Sequence, residues 1–214
     1  MAKEVKQNTY NKIVDASLDL FNEQGERNIS TNHIAAHLSI SPGNLYYHFR
    51  NKDEIILQLF KRYRQDTLQY LKEYQAPSST DSVWNFVHNV FDVMWRYRFL
   101  FADTNTLLAR SDELAQEYHE FTETEVTPAI AKQCQVLIDC GFISIDEASL
   151  KRCATNIWLI SKYWFVFESS AQQQQPLDEQ AKFRGIKQVM SIVQPYVTDE
   201  YKVAYEAIIN REDI

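Results

Sequence analysis

Residues 39–42 read Ser-Ile-Ser-Pro, and no continuous helix can cross them. Proline lacks a backbone N–H and pushes the residue before it out of the helical region, so a helix running up from Ser30 stops near Ser39. Pro42 suits the first position of a new helix capped by Ser41, and Ile40 and Leu45 stand at the spacing of a hydrophobic staple. The chain is committed here to two short helices joined by a tight turn.

Elsewhere such punctuation is rare. Four Gly and five Pro in 214 residues, with few alternating runs of Val, Ile and Thr, leave long helices as the expected structure and all-α as the fold class. The first helix is expected after Thr9, with Ile13, Val14, Ser17, Leu20 and Phe21 on one stripe and Gly25 at its end. A second follows Ser30, with Ile34, Ala35 and Leu38 inward. The helix opened by Ser41 ends by Arg50. Asn51 then caps a fourth, with Asp53 and Glu54 facing the positive end of its dipole, and it runs to about Tyr74. "QAPSST" at 75–80 marks a boundary. Beyond it helices are expected over 81–98, 99–110, 112–140 with a kink or break at Pro128, 146–170, 178–194 and 199–210, separated at Gly141 and at "QQQQP". No apolar run approaches the ~20 residues of a membrane span, and "MAKEVKQN" lacks the apolar core of a secretory signal, so a cytoplasmic, membrane-free protein is expected. Cys134, Cys140 and Cys153 are an odd set without close pairing, which indicates reduced core thiols and neither disulfides nor zinc.

The third helix has two sides. At 100° per residue Leu45 and Phe49 fall inward, while Gly43 and Tyr47 point out, flanked by Asn44, Tyr46 and His48. Two short helices and such a turn form a helix-turn-helix, whose second helix lies in the DNA major groove. Gly43 allows close backbone approach, Asn44 can pair with a base edge, Tyr46 can meet a base, and Tyr47 and His48 reach phosphates. Lys52 and the first amides of the fourth helix suit a further phosphate. The formal net charge of −7 speaks against nucleic acid until it is divided: residues 1–52 carry +1 and the remainder −8. His33 and His37 have a metal-ligand spacing but no neighbouring Glu, and His48 has no nucleophile beside it.

The stretch "STNHIAAHLSISPGNLYYHFRNKDEIILQLF" resembles the DNA-binding half of the TetR family of bacterial regulators, notably at Ser41, Leu45, Tyr46, Phe49, Lys52 and Ile55 or Ile56. The resemblance implies a homodimer on double-stranded, pseudo-palindromic DNA, usually a repressor, released when a small-molecule effector enters the C-terminal domain. It assigns Asn32, Gly43, Asn44 and Tyr46 to bases, and Thr31, Tyr47, His48 and Lys52 to phosphates. Ser39 stands where the family commonly has Gly, which implies mild strain in a left-handed turn residue. The domains implied are a three-helix head with the helix-turn-helix at 1–53, a connecting helix at 54–75 and a larger helical effector-binding and dimerisation domain at 76–214. The candidates for the effector pocket are Trp95, Asn105, Arg110, His119, Asn156, Lys162 and Phe167, and the helices at 146–170 and 178–194 are the expected dimer elements. A second reading keeps the DNA-binding head but gives the acidic C-terminal body a protein partner and no effector. An enzyme is not expected, since no paired nucleophile and base, phosphate-cradling glycine loop or metal constellation is present, and no cofactor is implied.

Overall fold

The computed structural model describes residues 8–73, 80–171 and 177–210. Tyr74, most of "QAPSST" and the "QQQQP" stretch lie outside the described residues. The helices are α1 (Thr9–Gln24), α2 (Thr31–His37), α3 (Pro42–His48), α4 (Lys52–Glu73), α5 (Thr80–Arg96), α6 (Phe99–Ala102), α7 (Thr104–Arg110), α8 (Asp112–Glu120), α9 (Thr127–Asp139), α10 (Glu147–Ala171), α11 (Gln180–Val193) and α12 (Lys202–Ile209). Among the described residues there is no β-strand, only an isolated bridge between Ile143 and Val197. No helix there is long and apolar enough to cross a membrane, and no cluster of side chains could hold a metal ion.

The chain divides into two compact units. One gathers the residues up to Tyr63 together with Tyr97–Ala115; the other gathers Arg64–Arg96 and the residues from Gln116 onward. This grouping is by packing, whereas the expected 1–53, 54–75 and 76–214 division is by function. Helix α4 is shared by both units, and Tyr97–Ala115 belongs with the head. The reason is aromatic. Phe99 lies 5.2 Å from Phe21 of α1, Tyr63 meets Tyr97 at 5.8 Å and Phe101 at 5.4 Å, and all five rings are buried. Asn22 adds a hydrogen bond, its Oδ1 accepting from the Phe99 amide at 3.1 Å. The expected 99–110 helix is broken at Asp103, a non-helical residue (φ −151°, ψ 46°) between α6 and α7.

Local chemistry sets the head's helices. Asn8, one residue earlier than expected, caps α1, and Gly25 at φ 82° ends it by donating to the Phe21 carbonyl. Ser30 caps α2 and Ser41 caps α3 with Pro42 in the first turn. Between them Ser39 has φ 54°, the one positive φ outside glycine among the described residues. A left-handed side chain costs about 1–2 kcal/mol, tolerated because the turn must be short.

In the second unit α10 packs against α9 and α11, and α11 packs against α5. Trp164 is locked by donating from its indole N–H to the Ala181 carbonyl at 2.7 Å, and the buried Tyr205 hydroxyl donates to the Met190 carbonyl at 2.9 Å. Pro128 does break the long helix, but by widening it: Phe121–Val126 is π-helical, a register that accommodates a proline with no N–H to return to the residue four earlier. Cys134 and Cys153 are buried, Cys140 is half-buried, and all three are free thiols.

Candidate nucleic-acid interface

Leu45 and Phe49 anchor α3, being fully and almost fully buried. Tyr10 of α1 stacks on Phe49 with ring centroids 4.6 Å apart and meets the edge of His48 at 6.3 Å. Tyr10 was not legible as a support, since only the fold brings it under α3. The opposite face is open. Asn32, Gly43 and Asn44 are exposed, His48 is half-buried, and Tyr47 is 85% exposed. Tyr46 is about half exposed, and its hydroxyl lies 3.1 Å from Thr31 Oγ1, tying α3 to the start of α2. A side chain at Gly43 would meet nothing nearer than Ser41 Oγ at 3.9 Å, so nothing inside the protein requires glycine there. Glycine inside a helix costs about 1 kcal/mol relative to alanine.

Lys52, expected at a phosphate, is engaged within the head. Its ammonium donates to the Glu26 carbonyl at 2.9 Å and the Ile29 carbonyl at 3.0 Å, and pairs with Glu26 Oε1 at 2.7 Å. A lysine has three N–H donors, and all three are engaged inside the head. Glu26, only 8% exposed, is also held by Arg110, whose two terminal nitrogens reach its carboxylate at 2.8 and 3.3 Å while also gripping Asp53. Burial pushes the Glu26 carboxyl up, but the Arg110 and Lys52 hydrogen bonds outweigh it and hold it below the ordinary glutamate range. A folded value below the unfolded one stabilises the fold above the unfolded pKa, and this is lost as pH falls through the folded value. Melting temperatures of the native chain and Glu26→Gln between about pH 3 and 7 should therefore differ most at neutral pH and converge in acid; a constant gap would exclude this role.

Beside the network lies a groove of about 350 Å³ lined by Arg27, Ser30, Thr31, Tyr46, Arg50 and Lys52. Arg27 pairs with Asp103 and reaches Thr106 Oγ1. Neither Arg27 nor Arg50 was singled out in the sequence, because neither lies on the outward face of α3.

The pocket candidates fall in both units. Asn105 is exposed in the first unit, and Arg110 is occupied there by Glu26 and Asp53. In the second unit His119, Asn156 and Phe167 are exposed, and Trp95 is half-buried against Phe165 at 5.6 Å. The half-buried Lys162 ammonium sits over the Tyr118 and Tyr163 rings at 4.8 and 4.7 Å. Sequence reasoning missed Thr67, Thr122 and Gln133. The hydroxyls of the two threonines and Gln133 Oε1 are buried with no hydrogen-bond partner, although Gln133 Nε2 donates to the Leu71 carbonyl at 2.6 Å.

Two family models match along the chain: "Bacterial regulatory proteins, tetR family" over residues 13–59 and "Bacterial transcriptional repressor" over residues 62–205. The chain belongs to the TetR family. This TetR-family chain is similar to a TetR-family transcriptional regulator of Marinobacter aquaeolei VT8, with 39% identity, a TM-score of 0.85, and coverage of 95% of this chain and 98% of that one. It is 24% identical over 192 residues to the biofilm operon icaADBC negative transcriptional regulator IcaR of Staphylococcus epidermidis, covering 87% of this chain and 97% of that protein. A more local match, 39% identical over 62 residues, joins it to an HTH-type transcriptional regulator of Staphylococcus aureus, covering 29% of this chain and 33% of that one. It is thus a DNA-binding transcriptional regulator of the repressor type.

Proposed function

We propose that the protein is a dimeric repressor that holds a pseudo-palindromic operator and leaves it when a small molecule binds the second unit, acting in the cytoplasm. The observation that carries this reading is α3, pinned by Leu45 and Phe49 while Gly43, Asn44, Tyr46 and Tyr47 face solvent. In this reading Asn32, Gly43, Asn44 and Tyr46 meet bases, and Thr31, Tyr47 and His48 meet phosphates. Lys52 holds the head together from behind. A dimer is supported by α10, which leaves Leu159, Tyr163, Val166 and Phe167 exposed, an apolar stripe that α10 and α11 of a second copy would cover. The two heads then meet successive major grooves about 34 Å apart.

Effector binding is supported by the buried Thr67, Thr122 and Gln133 atoms. An unpartnered buried polar atom costs about 1–3 kcal/mol and calls for an explanation, and a ligand with matching donors and acceptors supplies one. An effector acts by preferring a state in which the heads no longer match the groove spacing, so it lowers affinity without occupying the DNA surface. Recruitment of a protein partner by the acidic body would leave DNA affinity insensitive to metabolites.

Genomic footprinting recovers the operator, and Asn44→Ala tests the reading head on it. The expected loss is about 1–3 kcal/mol on the operator, confined to one base position, with little change on random duplex. Equal losses on both would remove the base-reading role.

A further inference from the structure

We infer that the groove beside α3 seats one phosphodiester of the bound DNA and that Arg50 supplies its charge, a role the resemblance above does not assign to it. This rests on the DNA-binding reading above. Its lining includes Thr31 and Tyr46, whose hydroxyls lie 3.1 Å apart, together with Arg50, Asn51 and Lys52. Hydroxyls and a guanidinium facing one cleft suit a singly charged phosphate oxygen pair.

The basic side chains lining the groove divide by what already holds them. The Lys52 ammonium is closed off by Glu26 and two backbone carbonyls, and Arg27 is neutralised by Asp103. Arg50 is anchored at its root, where its backbone N–H donates to Glu54 Oε2 at 2.8 Å, while its side chain is 90% exposed. Its one ion-pair contact among the described residues is a loose 3.8 Å to the same Glu54, an exposed arrangement that a phosphate displaces at little cost. The base of the side chain is fixed and its charge is available.

The test is a salt titration of the full-length chain, with Arg50→Ala and Arg50→Lys, against a labelled random-sequence duplex of about 30 base pairs and the footprinted operator. Arg50→Ala is expected to weaken both by roughly five- to tenfold and to lower the slope of log affinity against log salt by about 0.9. Arg50→Lys should keep the native slope. Unchanged melting of both variants is expected from the exposure of the side chain. A native slope in Arg50→Ala overturns the inference, and so does a loss on the operator alone, which would make Arg50 a base reader. If the unsubstituted chain binds neither duplex, it is the DNA-binding reading that fails.

Discussion

Lys52→Ala is expected to destabilise the head by about 2–4 kcal/mol, read as a lower denaturant midpoint at unchanged m-value. The Lys52 side chain is 22% exposed and the Glu26 side chain 7% exposed, so the pair is shielded from the screening that makes surface ion pairs weak. Removing the ammonium leaves the Glu26 carboxylate with Arg110 alone and strips the Glu26 and Ile29 carbonyls of their donor. Arg110 keeps the loss below that of a wholly isolated charge. The coupling separates this role from a phosphate contact. In a double-mutant cycle with Glu26→Gln, the two losses should fall short of additive because both act on one network. At temperatures where the variant remains folded, its salt slope on DNA should match that of the unsubstituted chain. A slope lowered by one unit with no change in melting would return Lys52 to the phosphates.

Gly185→Val should cost the second unit more than about 3 kcal/mol, and Gly185→Ala about 1–3 kcal/mol. A Cβ at Gly185 would sit 2.5 Å from Phe91 Cε1 and 2.5 Å from Trp164 Cδ1. Neither ring can step aside easily: Phe91 is buried, and Trp164 is held by its hydrogen bond to the Ala181 carbonyl. Alanine recovers up to about 1 kcal/mol of helix propensity, so its net effect is the smaller, whereas the branched methyls of valine must force α11 away from α5 and α10. Thermal unfolding measures the loss. Sedimentation of the same variant is expected to show fewer dimers, because the displaced helix is one of the two proposed to form the partner interface. Native stability of Gly185→Val would mean that α11 does not approach these rings so closely.

The head was legible where its signals are local. Ser30, Ser41, Pro42 and Asn51 announce helix starts, and Leu45 and Phe49 at a spacing of four define the buried side of α3, because capping and periodicity act within a turn or two. The left-handed Ser39 followed from the family resemblance, which commonly puts glycine at that turn position. What the sequence did not reveal lies far apart along it. Lys52 reads as a free cation beside a helix start, since its three acceptors come from Glu26 and Ile29 and nothing near residue 52 marks them. Arg110 reads as a polar residue in an apolar stretch and so as a pocket candidate, until folding places it against Glu26, 84 residues away. Pro128 predicts an interruption but not its π-helical form, and Gly185 carries no sign that two rings pack over it.

By itself the sequence determined an all-helical chain, the positions of its caps and turns, and an outward, exposed face on α3, all consequences of backbone sterics and short-range periodicity. The tertiary structure decided which charges are available and which are closed off. Arg50 faces solvent while Lys52 and Arg110 are locked around a buried Glu26, because ion pairing in the head depends on contacts between residues 23 to 84 positions apart and on the exclusion of water around them.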